Sequence, residues 1–189
     1  MSRIRYNVVR SLSRQPNHGR ALAQLLSSNQ TTIARITREL ESMNVLEHEM
    51  HGRNKVSVLK DSIEARSMRA MAEHEALIQL LERSPMLRRM VERIQAHEPT
   101  LAILFGSYAK GTQRKESDID VYLETSDRTL RERIEAIDSR LHVVIGSFEP
   151  SPLRSEIEHS HVIICGVERY EALTRIARTR GKDRDQRTS

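Results

Sequence analysis

The chain has 189 residues, with 31 Lys and Arg against 26 Asp and Glu for a net charge of +5, and its aromatic content is 3%. Its single cysteine excludes an intramolecular disulfide and the paired cysteines of a structural zinc site. No apolar run reaches the roughly 18 residues of a membrane span, and the first residues lack the apolar core of a secretory signal. We therefore expect a folded, soluble, cytoplasmic protein that binds no membrane.

The positive charge is concentrated in the N-terminal third. Residues 1–60 contain ten Lys and Arg against four Asp and Glu, whereas residues 99–176 contain ten against thirteen. A basic segment followed by a mildly acidic one indicates two modules with different partners. The low aromatic content argues against a module that holds single-stranded nucleic acid on exposed rings.

The first sixty residues show the pattern of three short helices and a hairpin. Val45-Leu46 and the alternating Val56 and Val58 flank a polar turn at 51–54, which is typical of a β-hairpin. Before it, apolar residues at helical spacing predict helices over 3–13, 21–26 and 31–43.

Three helices followed by a hairpin resemble a winged helix-turn-helix domain, which we place at residues 1–60. The resemblance implies that the third helix lies in the major groove of double-stranded DNA. The residues that would contact phosphates or base edges are Thr31, Thr32, Arg35 and Arg38 on this helix, with Arg53 and Lys55 at the hairpin tip. The alternative is a solvated helix face beside an ordinary polar turn.

Residues 61–98 contain no glycine and show helical spacing of apolar residues. Ser84 and Pro85 interrupt them, because Ser suits a helix N-cap and Pro suits the first helical position. We predict a connector helix over about 62–83 and a second helix over about 85–97. The connector spans residues 61–84, and its methionines fit packing within the chain; if the protein forms a homodimer, the 62–83 helix is where we expect the contact.

The next segment predicts a strand, a helical turn and a second strand. The apolar run 101–105 has strand length, Gly106 and Ser107 end it, and one helical turn follows at 108–111. After a polar loop, polar and apolar residues alternate over 118–123, which is typical of a strand with one polar face.

Two carboxylates are expected side by side on that polar face, since residues two apart in a strand point the same way. Asp118 and Asp120 would repel each other unless a cation lay between them, and Mg²⁺ prefers such oxygen ligands. Gly106 allows a close approach to the backbone, and the amides around Ser107 offer a phosphate site. This combination suits phosphoryl or nucleotidyl transfer.

The spacing Gly106-Ser107, ten residues, then Asp118-Ile119-Asp120 resembles the signature of the DNA polymerase β-type nucleotidyltransferase superfamily. The short length is similar to its minimal nucleotidyltransferases. The resemblance implies that Gly106 and Ser107 hold a nucleoside triphosphate, with ATP as the expected donor, and that Asp118 and Asp120 are catalytic and bind Mg²⁺ or Mn²⁺. Lys110, Arg114 and Lys115 lie in the same loop and could meet phosphates, with simple solvation as the alternative.

The family usually has a third carboxylate on a neighbouring strand, and here the matching run, 141–145, has His142 at that position. A neutral imidazole can act as a base or as a metal ligand, but it suits Mg²⁺ less well than oxygen does. Three outcomes stay open: His142 serves as the catalytic base, Glu149 or Asp138 reaches into the site, or the site binds nucleotide and turns over slowly or not at all.

The rest of the chain predicts a helix at 128–139, a Pro-marked turn with a short helix, a strand at 161–165 and a helix at 167–177. The predicted fold class is α+β, with a winged helix-turn-helix, a helical connector and a nucleotidyltransferase fold at 85–177 whose small mixed sheet has helices on one side. Residues 178–189 are polar and charged, and we expect them to be a disordered basic tail.

Two functions of different classes fit these patterns. The first is transfer of AMP to an acceptor hydroxyl, and the resemblance implies a protein acceptor, because single-domain relatives are often antitoxins that modify a tyrosine of a HEPN-type toxin. The second is a DNA-binding regulator whose nucleotidyltransferase-like domain senses nucleotide without turnover.

Overall fold

The computed structural model describes residues 3–52 and 54–174. The chain forms two compact units, with the boundary between Glu75 and Ala76. The predicted tail and Arg53 lie outside the described residues.

The first unit contains three short helices, a three-stranded sheet and the start of a long helix. The elements are α1 (Arg3–Arg14), β1 (Asn17–His18), α2 (Gly19–Leu25), α3 (Gln30–Ser42), β2 (Leu46–His51), β3 (Asn54–Leu59) and α4 (Ile63–Arg83). The antiparallel sheet has the order β1-β3-β2. The predicted helices and hairpin are present, whereas the two-residue strand β1 was not foreseen.

The helices α2 and α3 of the first unit begin at side-chain caps. Asn29 accepts a hydrogen bond from the Thr32 backbone N–H at 2.7 Å, and His18 Nδ1 accepts one from the Ala21 N–H at 3.2 Å. Such caps satisfy N–H groups that have no partner within the helix. They explain why α2 and α3 start where they do.

A single apolar core holds the first unit together. Its members from α1 and α3 recur at the helical spacing seen in the sequence, and α2 and one face of the first half of α4 also contribute. These members include Val8, Val9, Leu12, Leu22, Ile33, Ile36, Leu40, Ala65, Met68 and Ala72. Burying a large aliphatic side chain stabilises a fold by about 1.5–3 kcal/mol. The Arg10 guanidinium Nε lies 3.1 Å from Glu73 Oε1 and ties α1 to α4.

The second unit is built on a four-stranded mixed sheet. After the end of α4 and a 3₁₀ turn at Pro85–Leu87, its elements are α5 (Arg88–Gln95), β4 (Ala102–Leu104), α6 (Gly106–Lys110), β5 (Ile119–Glu124), α7 (Arg128–Glu135), β6 (Leu141–Gly146), α8 (Pro152–His159) and β7 (Val162–Cys165). The strand order is β6-β5-β4-β7, with β5 and β6 parallel and the other pairs antiparallel. Residues 167–174 are helical.

Both faces of this sheet are covered. Val121 and Leu123 of β5 lie in the main core with Leu80, Met90 and Ile134 from the helices. The opposite face carries an aromatic cluster instead, in which the Tyr122 and Phe148 ring centroids are 5.5 Å apart and those of Phe148 and Tyr170 are 5.7 Å apart. Since Tyr170 belongs to the helical segment 167–174, the expectation of helices on one side only is wrong.

Candidate active site

A close contact between Gly106 and Asp120 forms the centre of the candidate site. The Phe105 backbone N–H donates to the Asp120 carbonyl at 3.0 Å, which brings the end of β4 beside β5. Gly106 has φ +68°, and a Cβ placed on it would lie 2.2 Å from Asp120 Oδ2. Only glycine fits both this backbone conformation and this distance. The helix α6 begins at Gly106, two residues earlier than the predicted helical turn.

His142 lies directly beside Asp120. The parallel strands β5 and β6 place the two residues opposite each other in register. His142 Nδ1 is 3.2 Å from Asp120 Oδ1, and the side chains are 61% and 27% exposed, respectively. The imidazole therefore occupies the position predicted for it and remains open to solvent.

Asp118 lies outside the strand that contains Asp120. The strand β5 begins at Ile119, whose N–H donates to the Arg140 carbonyl at 2.8 Å. Asp118 is exposed at the end of the preceding loop. The strand therefore begins one residue later than predicted, and the shared face of Asp118 and Asp120 stays a prediction.

The two other carboxylates considered for the site have different surroundings. Both oxygens of Asp138 accept from the Arg140 guanidinium, at 3.1 and 3.0 Å. These hydrogen bonds lower the pKa of Asp138 below its usual value. Glu149 is exposed in the turn after β6. Of the three candidates, His142 is the one that contacts Asp120.

The loop between α6 and β5 is held in place at several points. Gly111 ends α6 in the left-handed conformation, with φ +72°. The Gln113 side-chain amide donates to the buried Ser84 hydroxyl at 3.3 Å. The Arg114 N–H donates to Ser117 Oγ at 2.8 Å. Sequence reasoning missed the Gln113–Ser84 contact. Ser84 does occupy the predicted N-cap position before Pro85, but its side chain makes no capping hydrogen bond.

The three cations assigned to phosphate contacts are exposed, at positions 110, 114 and 115. Lys110 Nζ lies 3.2 Å from Glu156 Oε1. Arg114 and Lys115 lie in the loop that leads to Asp118. All three follow Ser107 closely in the chain.

The donor set at Asp120 suits a metal bound together with phosphates. Among residues 3–52 and 54–174, no group of three or more His, Cys, Asp or Glu side chains is placed to hold a metal ion. Proteins commonly hold Mg²⁺ through one or two carboxylates, with substrate phosphates and water supplying the remaining oxygens. Asp120 and the exposed Asp118 fit a site of this kind, in which the protein supplies two carboxylates and the substrate supplies phosphate oxygens.

The candidate DNA-contacting residues of the first unit lie on α3 and β3. Thr31, Arg35 and Arg38 are exposed on α3, and Lys55 is exposed on β3. The Thr32 backbone N–H is occupied by the Asn29 cap. The exposed face of α3 therefore presents two guanidinium groups and a hydroxyl.

Comparison with known proteins supports the interpretation of the second unit. Residues 89–166, less than half of the chain, match the family model described as "Polymerase beta, Nucleotidyltransferase". This segment contains Gly106, Ser107, Asp118, Asp120 and His142, and it supports the predicted superfamily for this part of the chain. No curated protein and no solved structure matches the chain. None of the described helices is long and apolar enough to cross a membrane.

Proposed function

We propose that the second unit transfers AMP from ATP to an acceptor hydroxyl, with Mg²⁺ or Mn²⁺ as the cofactor. The observation that carries this proposal is the contact of Gly106 with Asp120 inside the segment that matches the family model. A glycine with φ +68° at the start of α6, packed on a carboxylate of the next strand, suits a backbone turn that a phosphate approaches closely.

Each site residue has a separate task in this proposal. The backbone at Gly106 and Ser107 binds the triphosphate, while Arg114 and Lys115 offset its charge. Asp118 and Asp120 hold the metal, which when bound polarises the phosphoryl oxygens and neutralises developing charge. The acceptor oxygen forms a bond to the α-phosphorus, the bond to pyrophosphate breaks, and the hydroxyl proton leaves to a base or to water.

The direct test uses ATP labelled in its α-phosphate. We expect metal-dependent incorporation of label into a protein acceptor, with a HEPN-type toxin tyrosine as the first candidate. Asp118→Ala should remove incorporation, whereas Glu132→Gln, an exposed change on α7, should not. If wild type and Asp118→Ala label the acceptor equally, the proposed activity is wrong.

We propose as a second function that the first unit binds double-stranded DNA, so that the protein acts as a nucleotide-sensing regulator. The exposed Thr31, Arg35 and Arg38 on α3 favour it, together with the basic N-terminal third. Binding to the protein's own promoter should weaken steeply with salt, because each phosphate contact releases counterions. Arg35→Gln should reduce the affinity, and nucleotide should alter it. Binding that is independent of salt and of Arg35 would contradict this function.

A further inference from the structure

The two carboxylate oxygens of Asp120 have different neighbours. Oδ1 lies 3.2 Å from His142 Nδ1, whereas Oδ2 lies against Gly106, 2.2 Å from where a Cβ would stand. An ionised carboxylate can only accept hydrogen bonds. If Asp120 is ionised, the ring nitrogen that faces it is the donor, and His142 donates Nδ1–H to Oδ1.

This hydrogen bond fixes the orientation of Asp120. A carboxylate on a partly exposed side chain can otherwise rotate about its terminal bond, which is a soft torsion. Partners of this kind orient metal-binding side chains, and their removal commonly costs 10–100-fold in metal affinity. Oδ2 takes no part in this hydrogen bond, and it lies at the turn that begins at Gly106.

We propose that His142 is a positioning residue, whose Nδ1–H holds Asp120 so that Oδ2 meets a divalent metal only when nucleotide phosphates are bound with it. This inference rests on the proposed function. The requirement for nucleotide phosphates follows from the charge of the site. A histidine beside Asp120 adds no negative charge, so Asp118 and Asp120 must attract the cation together with the triphosphate.

The chain offers three informative substitutions at this exposed position. In His142→Asn, the side-chain amide nitrogen can occupy nearly the same place as Nδ1 and can donate to Oδ1. His142→Ala removes the donor, and His142→Asp places a second carboxylate against Asp120. Because the His142 side chain is 61% exposed, all three variants should fold.

The test measures binding rather than turnover. Mn²⁺ is titrated into the full chain, with and without a non-hydrolysable ATP analogue, and free Mn²⁺ is followed by electron paramagnetic resonance. Because the analogue itself binds Mn²⁺, the same titration without protein is subtracted, so that only Mn²⁺ bound with the protein is counted. Wild type should bind Mn²⁺ tightly only with the analogue. His142→Ala should weaken this binding by about tenfold or more, the scale for loss of an orienting partner. His142→Asn should restore most of it, and His142→Asp should bind Mn²⁺ without nucleotide.

Each contrary result has a definite meaning. Unchanged affinity in His142→Ala, or no rescue in His142→Asn, overturns the positioning role. If wild type binds Mn²⁺ tightly without the analogue, the dependence on nucleotide is wrong. The same holds if His142→Asp, without the analogue, binds Mn²⁺ no more tightly than wild type does. If the analogue binds to no variant, the inference and the proposed function both fall. If binding follows the expected pattern but no acceptor is labelled, only the proposed transfer is wrong.

Discussion

Two carboxylates on the same face of β5 have opposite surroundings. Glu124 gives both oxygens to the Arg169 guanidinium, at 2.6 and 2.7 Å, and its side chain is 14% exposed. Asp120 has one oxygen beside a histidine and the other against a glycine. The difference shows that residue type alone does not identify a reactive acid. The Arg169 guanidinium binds both oxygens of Glu124, whereas no arginine is paired with Asp120 among the described contacts.

Of the substitutions considered, Gly106→Ala should disturb the position of the Asp120 side chain most. A Cβ at this position would overlap Asp120 Oδ2, and the backbone conformation disfavours any side chain. We expect loss of nucleotide binding and a fall in unfolding free energy on the order of 3 kcal/mol, measured by chemical denaturation.

Gly52→Ala is the matched control for this prediction. Gly52 has a similar φ, +63°, but nothing lies within 4 Å of its Cβ position. It therefore carries the backbone strain without the overlap. Equal effects of the two substitutions would show that the contact with Asp120 is unimportant.

Exchanging the two β5 carboxylates for amides tests the comparison directly. Asp120→Asn should reduce nucleotide transfer on the order of 100-fold, because the metal that Asp120 would hold contributes several kcal/mol of charge stabilisation in the transition state. Glu124→Gln should leave transfer close to wild type, because it alters only the pair with Arg169. The measurement is the initial rate of transfer from α-labelled ATP for wild type and for each variant. Equal losses in both variants would remove the distinction between the two environments.

Substitution of Gln113 should have a smaller effect than substitution of Asp120, because Gln113 only holds the loop between α6 and β5 in place. Gln113→Ala and Ser84→Ala each remove the same hydrogen bond, which contributes about 1 kcal/mol to stability. Both should speed trypsin cleavage after the exposed Arg114 and Lys115, and the double variant should be no worse than either single one. Additive effects would show that the two side chains act independently.

The smallest expected effect is the pH dependence from Asp138. Because Arg140 lowers the pKa of Asp138, the pair stabilises the folded state above the usual pKa of aspartate, and this stability is lost as the pH falls through the lowered pKa. The pair is partly exposed, so we expect a contribution below about 1 kcal/mol. Thermal unfolding of wild type and Asp138→Asn should differ near neutral pH and converge in acid. A constant difference would contradict this.

Local patterns were enough to predict most of the elements. The spacing of Ile33, Ile36 and Leu40 predicted α3, and Pro85 marked the end of α4, because both signals lie within one turn of the feature that they describe. The sequence also pointed to Gly106 and Asp120, which the structure brings together. Their roles, like those on α3, stay predictions.

Contacts between distant residues could not be predicted in the same way. The strand β1 exists because Asn17 and His18 pair with β3, some forty residues away. The Gln113–Ser84 bond and the Arg169–Glu124 pair join polar residues without a repeating pattern. Alternation from Asp118 onwards suggested a longer strand than β5, but the parallel pairing with β6 starts only at Ile119 with Leu141.

The shared space at Gly106 links two positions of the sequence that are fourteen residues apart. A side chain at position 106 and a carboxylate at position 120 exclude each other, so neither can change freely while the other stays. In any related chain, a residue larger than glycine at the first position should be accompanied by a smaller, uncharged residue at the second. We expect such a chain to lack the site, and the residue types at these two positions would be enough to recognise it.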